Sequence, residues 1–187
     1  MKEAFTHKSL LILGRGIGQV MFQNNALSGL LMLIGIFLNS WQMGLLAVSG
    51  NIISTSTGRI SGYDRDDIKN GLYGFNGTLV GIAVGVFMHL TVNSLILMAI
   101  ASCASTYIAR FFNMQRMLPG FTTLFILSVW MLLGLCSWLM PDMLLVSDTE
   151  TPASSSINYL QCFSMSIGQV MFQGNIMTGH FSLQAFS

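Results

Sequence analysis

Charge is scarce in this chain: only 8% of its 187 residues are Asp, Glu, Lys or Arg, against 52% hydrophobic, and the mean hydropathy is +0.65. A soluble globule carries about a quarter charged residues, so this balance excludes one and makes the chain an integral membrane protein. A net charge of +1 gives no electrostatic footprint for nucleic acid or for an acidic substrate. Cysteine is equally sparse. Cys103, Cys136 and Cys162 are odd in number and show no CxxC or Cys/His spacing, so they read as small buried hydrophobes. His7, His89 and His180 share no cluster with acids or cysteines, which argues against a metal site and a proton relay, and no cofactor is expected. The lack of a nucleophile, acid–base pair or metal constellation in the apolar segments disfavours an enzyme. An apolar run confined to residues 10–13 is too short for a cleavable signal peptide.

What is abundant is apolar sequence, in segments at about 17–38, 43–54, 72–90, 95–108 and 121–140. These predict five crossings. The second and fourth are shorter than the roughly 20 residues needed to span hydrocarbon, so their helices must extend further or be shielded by protein. Charge placement agrees with an odd count. Lys2, Lys8 and Arg15 precede the first segment, Arg59, Arg65 and Lys69 follow the second, and Arg110 and Arg116 follow the fourth, so all eight positive charges fall on one side. The opposite loops hold no charge at 39–42 and 91–94, and only Asp142, Asp148 and Glu150 after the fifth segment. The positive-inside rule then makes the N-terminus cytoplasmic, with a multi-pass chain in the cell (inner) membrane and an external, turn-rich linker at 147–160. The Asp64, Asp66, Asp67 group, among Arg59, Arg65 and Lys69, reads as a solvated cytoplasmic loop.

Residues 16–30, GIGQVMFQNNALSGL, recur at 166–180 as SIGQVMFQGNIMTGH, identical at nine of fifteen positions. With five crossings between the copies, the second is inverted relative to the first. Inverted repeats place a solute path at their interface near the bilayer midplane, often built from broken helices. Gln19, Gln23, Asn24 and Asn25 fit such a path, because amides in an apolar run are costly unless they face protein or water. Gln19, Phe22 and Gln23 would share one face of a continuous helix. The alternative for these amides is simple hydrogen-bonded glue between helices.

A second block, NGLYGFNGTLVGIAVGVF at 70–87, carries Gly77, Gly81 and Gly85 every four residues, a smooth ridge for close helix approach. Gly71 and Gly74 predict a break before that helix, from which Phe75 would project out of an irregular segment into a cavity.

IGQVMFQNNALSGLLMLIG, then NGLYGFNGTLVG, then LPGFTTLF ending at Trp130 resemble the first half of a urea transporter. The resemblance covers essentially the whole chain. It implies an all-α membrane fold of about five transmembrane helices plus a half-spanning pore helix, the first half of an inverted-repeat channel that assembles as a homotrimer in membrane lipid. It further implies that Gln19, Val20 and Phe22 match the first pore-helix motif, Phe75 and Leu79 the narrow filter, and Thr122 the threonine of an LT-x-P-F signature in which Leu124 here replaces proline. Gln169, Val170 and Phe172 match the second pore-helix motif. The function implied is passive diffusion of urea through a slot between aromatic faces, with amide and hydroxyl acceptors along its edge. A nonconducting fragment that only associates with full-length subunits, or a channel for another small neutral solute such as ammonia or short amides, are the alternatives. On this reading 1–146 form the first repeat, 147–160 the linker and 161–187 the start of a second repeat that is expected to be truncated, since HFSLQAFS follows Gly179 where the first copy has LLMLIGIF.

Overall fold

Asn25 and Ser40 decide where the first apolar helices begin and end, and the break ahead of Asn25 is the largest departure from the pattern expected above. The computed structural model describes residues 2–115 and 123–145. Within them lie helices α1 (Lys2–Gly18), α2 (Ala26–Asn39), α3 (Trp41–Ile60), the short α4 (Arg65–Lys69), α5 (Gly74–Phe87), α6 (Val92–Gln115) and α7 (Thr123–Leu139). The all-helical character agrees with the fold class expected for the chain. Among the described residues one helix, Val92–Phe112, is long and apolar enough by itself to cross a membrane, and Lys8–Met21 with Ala26–Asn39 pass that test together as a pair bent by 75°.

That bend corrects the expectation of one continuous helix over 17–38. α1 stops at Gly18 and a 3-10 turn occupies Gln19–Met21. Phe22 then turns left-handed at φ 57°, and its N–H closes the turn on the Gln19 carbonyl at 2.9 Å. Asn25 starts α2 by accepting the Leu27 N–H at 2.9 Å, satisfying one of the unpaired donors at a helix start. Gln19, Phe22 and Gln23 therefore do not form one helical face.

The two short segments lengthen in the structure. Ser40 joins α2 directly to α3, its N–H bonded to the Ile36 carbonyl and its hydroxyl accepting from the Met43 N–H. From there α3 runs 20 residues, about 30 Å at the α-helical rise. α6 runs 24 residues. Both reach past their apolar stretches because the polar residues in them bond within the bundle. Ser54 and Thr106 hydroxyls meet at 2.6 Å, and the Ser102 carbonyl accepts from Ser54, Ser105 and Thr106.

α3 and α5 are in intimate contact. A Cβ on Gly77 would strike the Gly50 carbonyl, one on Gly50 would strike that of Gly77, and one on Gly81 would strike that of Leu46. The ridge read from the sequence is thus a backbone-to-backbone seam, the close approach that small residues allow in membranes. Asn51, completely buried on α3, fastens the seam. Its Nδ2 donates to the Leu13 carbonyl of α1 at 3.1 Å and to Thr78 Oγ1 of α5 at 3.0 Å, and its Oδ1 accepts from Thr55 Oγ1 at 3.2 Å. After α7 the chain returns to the α5–α6 connection, with His89 N–H bonded to the Met143 carbonyl and Leu145 N–H to that of Phe87. The last residues of α5 and α7 therefore lie at the same end of the bundle.

Asn51→Leu removes an amide from between three helices and leaves the Thr55 and Thr78 hydroxyls without their cross-link. A loss of about 1–3 kcal/mol is expected, read as a lower unfolding midpoint in detergent, with Thr78→Val costing less because the Gly74 carbonyl it caps keeps its helical partner.

Candidate functional site

The broken span is held open by a second loop. Arg15 Nη1 donates to the Lys69 carbonyl at 3.3 Å, Gln19 Nε2 to the Asn70 carbonyl at 3.0 Å, and Asn24 Nδ2 to Asn70 Oδ1 at 3.1 Å. These three bonds bind residues 15–24 to the connection between α4 and α5. Gly71 sits at φ +76°, and a Cβ there would overlap the backbone of Gly16, so this loop touches the last turn of α1 main chain to main chain. In the sequence Asn24 reads as one of the amides fitting a path and Asn70 as a flank of the expected break, with no sign that the two bond to each other. The Asn70-Gly71 pair is the turn signal that marks the partner loop.

Around this junction the structure places five of the residues expected to line a path. Gln19 is half-buried at the start of the 3-10 turn, and with Nε2 committed to Asn70 its Oε1 is left as the amide's acceptor. Val20 is buried at 8% exposure and belongs to the same apolar cluster as Leu79, 4% exposed on α5. Phe75 packs against that cluster from the first turn of α5, so it projects from a regular helix rather than from an irregular segment. Phe22 is 66% exposed. The 3-10 turn packs on α5, which brings Gln19 and Val20 to the helix that carries Phe75 and Leu79. Thr122, Gln169, Val170 and Phe172 lie outside the described residues.

Three cavities have described walls. One of about 390 Å³ lies between α1, α2 and α3, lined by Leu10, Leu13, Ile17, Leu33 and Asn51 among others. Others of about 720 and 340 Å³ lie along α6 and α7 and beside the return to Leu144. None of these three is lined by Gln19, Val20, Phe22, Phe75 or Leu79.

Charge gathers beside the junction. Asp64 caps α4 by accepting from the Asp66 N–H at 2.7 Å, and Lys69 pairs with Asp66 at 2.8 Å in an exposed bridge that lowers the Asp66 pKa. Burial, then the neighbouring Asp64, push the Asp67 carboxyl above its usual value, against the pull of Arg110 and Tyr73. Arg110 in turn lies over the Tyr63 ring at 5.3 Å, which itself stacks at an angle on Tyr73 at 5.5 Å. The acidic loop is therefore partly packed against the ends of α5 and α6 rather than wholly solvated. Arg15, Lys69 and Arg110 come together at this one end, as their placement in the sequence suggests. Among the described residues no group of His, Cys, Asp or Glu is arranged to hold a metal ion.

An apolar bundle with a polar, doubly stapled break, and the LYGFNGTLVG helix packed on it, matches the urea transporter family model over residues 10–186. The chain belongs to the urea transporter family. Among curated relatives it is 41% identical over 75 residues to urea transporter 1 of Mus musculus, a stretch covering 40% of this chain and 20% of that protein. It is 42% identical over 73 residues to urea transporter 1 of Rattus norvegicus, and 40% over 73 to that of Ovis aries. The match thus spans about a fifth of the length of these curated relatives.

Within this family member the left-handed residue is a phenylalanine, a conformation that bulky side chains seldom adopt. Phe22→Val adds β-branching to a strained position, whereas asparagine tolerates it. The valine variant is expected to unfold more readily than Phe22→Asn by about 1–2 kcal/mol, measured as paired thermal midpoints in the same detergent.

Proposed function

We propose that this chain contributes to a passive path for urea across the cytoplasmic membrane, with its N-terminus inside and five passes formed by α2, α3, α5, α6 and α7. The observation that carries the reading is the break at residues 19–25, where an apolar span gives up its helix and offers the Gln19 acceptor beside the helix bearing Phe75 and Leu79. Family membership and the printed names of the relatives support urea as the solute.

Urea is flat and neutral, with four N–H donors and one acceptor oxygen. Phe22 and Phe75, with Phe172 from the inverted second copy, sandwich its plane, and Val20, Val170 and Leu79 keep the walls dry. Gln19, Gln169 and Thr122 accept its amide protons at the edge. Weak, repeated hydrogen bonds replace hydration in steps, so the solute enters and leaves without a deep trap. Ions are refused, because an aromatic constriction returns nothing for their lost water.

Stopped-flow urea efflux from proteoliposomes carrying the chain tests this. Flux above that of empty vesicles, with urea/thiourea discrimination weakened in Phe75→Ala, is the expected result. Unchanged discrimination in Phe75→Ala would remove the aromatic slot. No flux from protein shown to be inserted would leave this chain as a nonconducting portion of a larger pore.

A further inference from the structure

Asn76 is fully buried on α5, yet neither its Nδ2 nor its Oδ1 makes a hydrogen bond within the chain. Ser102 on α6 is also fully buried, and its hydroxyl is likewise unpaired. Native interiors rarely leave polar atoms in this condition, and in lipid, bulk water offers no relief.

Helical geometry places the two about one turn apart on facing helices. Asn76 follows Tyr73, the N-cap of α5, by three residues, so the two lie on the same side of its first turn. Tyr73 shares an apolar cluster with Ala109 of α6. α5 and α6 pack on one another and are joined by residues 88–91, a short connection that makes them antiparallel neighbours. One turn forward from Tyr73 therefore corresponds to one turn back from Ala109 on α6, at Ser105 and Thr106, with Ser102 one turn further along. Ser105 and Thr106 both return their hydroxyls to the Ser102 carbonyl, at 2.8 and 3.1 Å. That leaves Ser102 Oγ and the two polar atoms of Asn76 as the unmatched set on facing helices. Three unpaired polar atoms are the usual complement of one buried water, which makes about three hydrogen bonds to otherwise unsatisfied groups.

We propose that α5 and α6 enclose a bound-water site, of one or two molecules, that accepts from Asn76 Nδ2, donates to Asn76 Oδ1 and takes the Ser102 hydroxyl as its third partner. Water fits where a larger ligand does not, since both residues have no exposed surface. The site stands independently of which solute the protein conducts. It fixes the amide of the residue next to Phe75, and so the first turn of the helix on which Phe75 is mounted.

A crystal or cryo-electron-microscopy map of the wild-type chain in lipid, at a resolution that shows ordered waters elsewhere in the protein, tests the site directly. A solvent peak within about 3.2 Å of Asn76, and no protein atom in that place, is expected. An empty position, or a protein group bonded to Asn76, overturns it. Asn76→Leu, Ser102→Ala and the double variant give a second reading. Each single change is expected to lower the unfolding midpoint, and the double change to lower it by less than the sum, because both disrupt one water. Additive losses, or a midpoint raised by Asn76→Leu as expected for a buried amide with no partner, overturn the site.

Discussion

The Asn51 amide is the fastening on which the rest of the arrangement depends. In hydrocarbon there is no hydrophobic drive between helices, so association rests on close packing and on polar groups that find partners inside the bundle. Asn51 uses both amide ends to bind α1, α3 and α5, and it works only because Gly50, Gly77 and Gly81 let α3 and α5 approach to backbone contact. Its bond to the Leu13 carbonyl fixes α1 one turn before the break. The position of Gln19 therefore follows from a side chain on a different helix.

The break is costly, since it gives up helical hydrogen bonds in the middle of an apolar run and puts a phenylalanine in the left-handed region. It persists because the lost bonds are replaced locally. Phe22 and Gln23 bond back to Gln19 and Gly18, Asn25 caps α2, and the Asn70 loop accepts from Gln19 and Asn24. The same loop follows Asp64–Lys69, where Arg15 bonds the Lys69 carbonyl and Arg110 faces the Asp67 carboxyl. A polar interior junction and a charged end thus form one continuous structure, with the glycine seam running from it into the membrane.

Much of this was legible in the residues. The every-fourth glycines announced the seam, the Asn70-Gly71 pair announced the turn before α5, and the scarcity of charge announced the membrane. The break at 19–25 was only half legible: Gln23, Asn24 and Asn25 interrupt the apolar run, but the αL residue is a phenylalanine, which carries no turn signal. The lengths of α3 and α6 were under-read for a related reason. Ser54, Ser105 and Thr106 weaken the apolar signal in a hydropathy scan, but in space their hydroxyls all bond to the Ser102 carbonyl. The role of Asn51 was invisible, since its partners lie 38 and 27 positions away. Of the residues expected to line a path, Gln19, Val20, Phe75 and Leu79 are brought to one junction, whereas Phe22 is exposed beside it.

The central claim, that the break at Gln19 is a wet, solute-accessible point within a lipid-embedded bundle, is tested most directly by cysteine labelling in a cysteine-free background in liposomes. Gln19→Cys is predicted to react with a small membrane-impermeant thiol reagent, as Gly62→Cys does in its loop, and to react more slowly when urea is present, while Leu45→Cys on the outer face of α3 stays inert. Gln19→Cys as unreactive as Leu45→Cys would contradict it.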